Sequence, residues 1–172
     1  MKTRYLVVAN KTLAGRQLIS TIVGHAREGA DIHVTVPATP LDAAEQAEGA
    51  TGAGAVAQKR LDEALRRLAE AGIEATGNVG PADPLAAIRE QLAGARFSGL
   101  IISTLPRHVS RWLHLDLPHR AVREFALPVE WLESASDDDD AAVVHIEVPA
   151  AANRNLVGGK MAKQDLPPFR NR

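Results

Sequence analysis

A doubly wound, Rossmann-like α/β domain is the fold this sequence predicts, with five parallel strands in the order 3-2-1-4-5 and a C-terminal extension. Three observations point there. Short, continuous apolar runs alternate with stretches of helical periodicity from end to end. The runs are apolar at successive positions, as strands covered on both faces must be. The connections are long enough for the crossovers that parallel strands require.

The elements follow in order. "RYLVVAN" reads as a buried strand, and Asn10 to Gly15 as a turn with Thr12 as helix N-cap. Leu18, Ile19, Ile22, Val23 and Ala26 then keep helical spacing until Gly29. "DIHVTVP" is the second strand. Residues 37 to 55 are rich in Ala and Gly and read as one long loop, either mobile or near a ligand. From about Val56, the residues Leu61, Ala64, Leu65 and Leu68 repeat on one helical face, which Gly72 ends. "IEATGNVG" is a third strand, less apolar and so nearer an edge. "DPLAAIREQLAG" opens with Asp83 as N-cap and Pro84 at the first helical position, and buries Leu85, Ile88 and Leu92. "SGLIIST" is the central fourth strand, "LPHRAVREF" a short helix and "PVEWLES" the fifth strand. Trp131 alternates with Val129 there, so it packs on a sheet face or at a subunit contact.

The α/β domain is therefore expected over residues 1–134. "ASDDDDAA" marks an acidic linker over 135–142, and 143–172 forms an extension with one possible strand, "VVHIEVP", and a basic tail. The four aspartates from Asp137 to Asp140 read as a solubilising run.

Composition narrows the function classes. The chain has 172 residues, 45% of them hydrophobic and 3% aromatic, so the core must be built mainly from Ala, Val, Leu and Ile. A net charge of -1 gives no field to draw it to nucleic acid or membrane. The absence of cysteine excludes disulfides, thiolate chemistry and cysteine-ligated metals. No apolar run approaches the ~18 residues of a membrane span, so the expected location is the cytoplasm.

Ligands of such folds bind beyond the carboxyl ends of the strands, where strand order reverses. Ala9 to Thr12, the loop after Val36, and Ser103 to Asp116 are expected there. The candidate ligand-binding residues are Asn10, Thr12, Ser103, Thr104, Arg107, Arg111 and Asp116. Arg107 and Arg111, with His108 and His114, supply charge for holding an anion. Trp112 is expected to cover the loop or lie at an interface. No catalytic set is visible: Ser103 lacks the G-x-S-x-G elbow that a serine nucleophile needs. No metal site is expected either, since the spacing of His108, His114, Asp116 and His119 matches no known ligand set and Pro118 starts a helix among them.

The order of elements and three stretches, "YLVVANKT", "GNVGPADPLAAI" and "SGLIISTLPRHVSRWLHLDLPHRAVREFALPVEWL", resemble the universal stress protein family over residues 3 to 133. Members are α/β proteins that bind adenine nucleotides, often through a loop of pattern G-x2-G-x9-G-[ST]. Laid on this chain, the first glycine falls on Ser103, the second on Pro106, the third on Asp116 and the Ser/Thr on Leu117. The spacing is kept and every defining residue is changed. Pro106 has no N–H to offer phosphate, and Leu117 has no hydroxyl. Asp116, as N-cap of the helix that follows, places a carboxylate at the positive helix end that phosphate would use. Two unit charges 4 Å apart repel by ~1–4 kcal/mol. Asn10 stands where the family often carries aspartate. The resemblance thus implies a non-enzymatic stress-response or regulatory protein with a degenerate nucleotide site and no cofactor, since Pro106, Asp116 and Leu117 disfavour ATP. The alternative is an ATP- or AMP-binding protein or weak ATPase that uses Arg and His side chains in place of the glycines. The family also implies a homodimer through the last strand, Pro128 to Glu133, with help from Val143 to Val148.

Overall fold

The computed structural model describes residues 2–105, 116–133 and 143–149. Six strands form one sheet: β1 (Arg4–Val8), β2 (Asp31–Pro37), β3 (Ala75–Gly80), β4 (Gly99–Thr104), β5 (Val129–Glu133) and β6 (Val143–Glu147). Their order is β3-β2-β1-β4-β5-β6. The first five run parallel, and β6 lies antiparallel on β5. The helices are α1 (Arg16–Arg27), α2 (Ala43–Ala47), α3 (Ala53–Glu70), α4 (Pro84–Gly94) and α5 (Leu117–Phe125).

Alternation along the strands builds two cores. Val7, Val34, Ile101 and Leu132 point to one face and meet Leu18 and Ile22 of α1 and Leu61 and Leu68 of α3. Leu6, Val8, Leu100 and Ile102 point to the other and meet Leu85 and Ile88 of α4 and Leu117 of α5. Each fully buried aliphatic side chain contributes roughly 1.5–3 kcal/mol. The central strands read as continuous apolar runs because both faces are covered. β4 is buried at all six positions.

Several expected details hold. Asp83 accepts from the Leu85 N–H at 3.3 Å, with Pro84 in the first turn. Gly29 and Gly72 follow α1 and α3 with φ of 93° and 78°, a left-handed stop that a side chain resists. Trp131 lies on a sheet face within the second core.

Four details differ. The sheet has six strands rather than five, because the possible strand of the extension pairs with β5 of its own chain. β5 is therefore an inner strand, and Pro128 to Glu133 offers no free edge. Thr12 is not the N-cap of α1; Gly15 holds that place without a side-chain bond, and the Thr12 hydroxyl goes elsewhere. The stretch 37 to 55 is not one loop, because it contains α2. Asp42 and Glu45 close a capping box at the start of that helix, each side chain bonding the other's backbone N–H. α2 buries none of its side chains, so it leaves no apolar stripe to read. No helix among the described residues is long and apolar enough to cross a membrane.

Candidate functional site

The carboxyl ends of β1, β2 and β4 carry the polar residues. Thr12 and Ser103 meet there, hydroxyl to hydroxyl at 2.7 Å, with 2% and 1% of their surfaces exposed. This bond ties the turn after β1 to the end of β4 and leaves little room for a ligand between them. Thr104 follows on the strand, so its side chain points to the opposite face. Its hydroxyl is buried with no hydrogen-bond partner among the described residues.

Asn10 turns the other way, toward β2 and α3. Its amide N–H groups donate to the Pro37 carbonyl at 2.8 Å and to the Thr39 hydroxyl at 2.6 Å. Its Oδ1 accepts from Arg60 at 2.5 Å. Arg60 also donates to Glu45 at 2.5 Å. Lys11 pairs with Asp42 and stands 3.6 Å from Glu45. Asn10, Lys11, Glu45 and Arg60 border a cleft of about 510 Å³, which Lys59 and Val56 also line. Its size suits a small ligand.

The electrostatics of the cleft follow from its geometry. The Glu45 N–H and Lys11 hold the Asp42 carboxyl below the usual carboxylate range. For Glu45, burial pushes the pKa up, but the Asp42 N–H, Arg60 and Lys11 together outweigh it and bring it below the usual range. Both carboxylates thus stay charged where they hold α2 against the domain.

Asp116 begins α5 in the left-handed conformation, with φ 54° and ψ 39°. It occupies the N-cap position, yet its carboxylate bonds none of the helix N–H groups. Here the expectation from sequence is corrected: the left-handed backbone points the side chain along the helix. It accepts from His119 Nδ1 at 2.5 Å, with Arg123 at 3.7 Å. Nε2 of His119 lies 2.8 Å from Glu147 of β6, and the ring packs on Trp131. His119 therefore links α5 to the added strand. Among the described residues no three His, Asp or Glu side chains are grouped as metal ligands.

The residues picked out by sequence do not form one set. Thr12 and Ser103 are bonded together, Asn10 belongs to the cleft, Thr104 faces away and Asp116 is turned to His119. Arg107 and Arg111, with Pro106, His108, Trp112 and His114, lie outside the described residues. Sequence reasoning misses Lys11, Asp42, Glu45 and Arg60. Two signals mark three of them, and none marks Lys11. Arg60 sits three residues after Ala57 and four before Ala64, a cation on the buried stripe of α3. Asp42 and Glu45 have the spacing of a capping box.

The comparisons fit a fold of this class and go no further. No protein-family model and no curated protein matches the chain. Twelve solved chains do. The 4-carboxy-2-hydroxymuconate hydratase GalB of Pseudomonas putida KT2440 matches at 17% identity and a TM-score of 0.52, over 77% of this chain and 66% of that one. A triple mutant of a deacetylase of the teicoplanin biosynthetic pathway matches at 16% identity and 0.48, over 76% and 64%. This chain spans just under two thirds of either protein. At these identities the hydratase supports an α/β fold with a mostly parallel sheet and carries nothing about chemistry.

Proposed function

We propose that this chain is a universal stress protein-like, non-enzymatic regulatory protein, Rossmann-like in plan, whose ancestral nucleotide site no longer takes ATP in the usual way. The observation that carries the reading is Asp116. Its carboxylate stands at the start of α5, where the family's phosphate would lie, and is already engaged by His119. The buried bond between Thr12 and Ser103 supports the same reading, since both hydroxyls are spent on each other. The second reading, nucleotide binding through side-chain cations, depends on Arg107 and Arg111.

The test is direct. Denatured protein analysed by mass spectrometry is expected to release no stoichiometric nucleotide, and calorimetry at physiological salt is expected to show no ATP binding. Asp116→Gly, which leaves the buried Leu117 in place, is expected to restore weak binding, since removing the repulsion recovers roughly one to three decades of affinity. Tight ATP binding by the unaltered protein rejects the proposal.

The same reading includes a homodimer, for which β6 is the proposed contact. Ile146 of this edge strand and Val148 just beyond it are 71% and 52% exposed. An edge of this kind pairs readily with a second copy. Sedimentation is expected to show a dimer that Ile146→Lys converts to monomer; a monomeric wild type at high micromolar concentration rejects the assembly.

A further inference from the structure

α2 is held to the domain by charge rather than by burial. None of its side chains is buried, while its Glu45 carboxylate is only 13% exposed. That carboxylate meets Arg60 at 2.5 Å and Lys11 at 3.6 Å, and Asp42 meets Lys11 as well. Arg60 is itself fixed by Asn10. A cationic pair is thus built on rigid elements, the end of β1 and the buried side of α3. It is filled by an anion from a five-residue helix with no core of its own.

The cleft continues from this point. Beside Glu45 its lining is apolar at Ala14, Ala50, Ala55 and Val56. Glu48 and Glu63 also border it. Those two carboxylates disfavour a multiply charged anion and leave a single negative charge as the better match.

We infer that Lys11 and Arg60 form a binding site for a small organic carboxylate with an apolar body, and that Glu45 occupies the site as an internal competitor. In the ligand-bound state the ligand carboxylate takes the Arg60 and Lys11 bonds, and its body lies along Ala14, Ala55 and Val56. α2 then loses its anchor and moves off the carboxyl edge of the sheet. Binding and release of α2 become one event, so an anionic metabolite changes the surface that the protein shows to a partner. This inference is independent of Asp116, which lies beyond β4 on the other side of β1.

Hexanoate is the probe, with acetate and inorganic phosphate as comparisons, titrated by calorimetry and by amide NMR. Glu45→Gln is the diagnostic variant. Glutamine at this position still accepts the Asp42 N–H, so the capping box survives while the competing charge is removed. Glu45→Gln is expected to bind hexanoate about tenfold more tightly than wild type, the scale of one charge-assisted contact. Arg60→Ala and Lys11→Ala are each expected to abolish binding. Lys11→Ala gives the same answer should Arg60→Ala lose its fold. Acetate, lacking the apolar body, and phosphate, carrying extra charge, are expected to bind more weakly than hexanoate. Hydrogen exchange across residues 42–48 of wild type is expected to rise when hexanoate is added. Equal affinity in wild type and Glu45→Gln overturns the inference, as does binding that survives Lys11→Ala or leaves exchange at α2 unchanged. Phosphate binding more tightly than hexanoate overturns the assignment of the ligand class. ATP titrations report on Asp116 separately, so failure here leaves the proposed function standing, and the converse.

Discussion

Gly77→Ala lowers the stability of the domain by about 3 kcal/mol, the upper part of the range for overpacking a tight core. A Cβ at this position meets the Val34 carbonyl oxygen at 2.7 Å and Leu61 Cδ1 at 2.6 Å. Leu61 can rotate at the cost of its place in the core. The Val34 carbonyl belongs to β2, which is held between β1 and β3 and cannot retreat. The clash therefore pushes β3 and α3 apart or breaks the edge of the sheet. Urea denaturation is the measurement, with the midpoint falling and the slope unchanged. Gly54→Ala is the control, because an added methyl there meets nothing within 4 Å. If both variants melt together with wild type, the close approach of β3 to α3 is wrong.

Asn10→Asp destabilises by about 2 kcal/mol at neutral pH, the scale of a buried acceptor left without its donor. The substitution looks mild and restores the residue that the resembled family often carries. In this chain, however, the Asn10 amide donates to Pro37, and a carboxylate there sets two acceptors face to face at a 2.8 Å contact. The new charge gains from Arg60 at the other oxygen, but that cation is already shared with Glu45, so the lost donor to Pro37 sets the sign. The loss is expected to shrink as pH falls toward about 4, because a protonated carboxyl again donates a hydrogen to Pro37. The sign follows from linkage: the folded variant holds its proton more tightly than the unfolded chain, so acid favours folding relative to neutral pH. Thermal melts of variant and wild type across pH check it. A variant as stable as wild type at neutral pH removes Asn10 from the cleft's framework.

The parts of the fold that are legible in sequence are those fixed by apolar burial or by backbone chemistry. β1 and β4 announce themselves through the apolar runs Leu6–Val8 and Leu100–Ile102, covered on both faces, and β2 through Ile32, Val34 and Val36 in alternation. α3 shows its stripe, α4 its Asp83-Pro84 start, and Gly29 and Gly72 their left-handed stops. What stays hidden depends on polar contacts between distant segments. Thr12 is a reasonable cap by its neighbours alone, but it bonds Ser103, 91 residues away. α2 is fastened through Lys11 and Arg60, which no periodicity connects. The switch-point rule expects Asn10, Thr12 and Ser103 at the carboxyl ends of the strands, where they lie. It is silent on which of their hydrogen bonds are already used, and that question separates an open site from a closed one.

The reversal of β6 fixes the polarity of the molecule. β5 ends at the carboxyl edge, beside the cleft side of the sheet, whereas β6 runs back and pairs Glu147 with Val129 at the start of β5. Pro149 therefore departs from the pole opposite Lys11 and Arg60, roughly 17–20 Å away along a strand of this length. A fluorophore attached at Pro149 itself starts on the far side from the cleft. The Lys11–Arg60 cleft and the point where the chain leaves β6 thus lie at opposite ends of the strands, with the length of a strand between them.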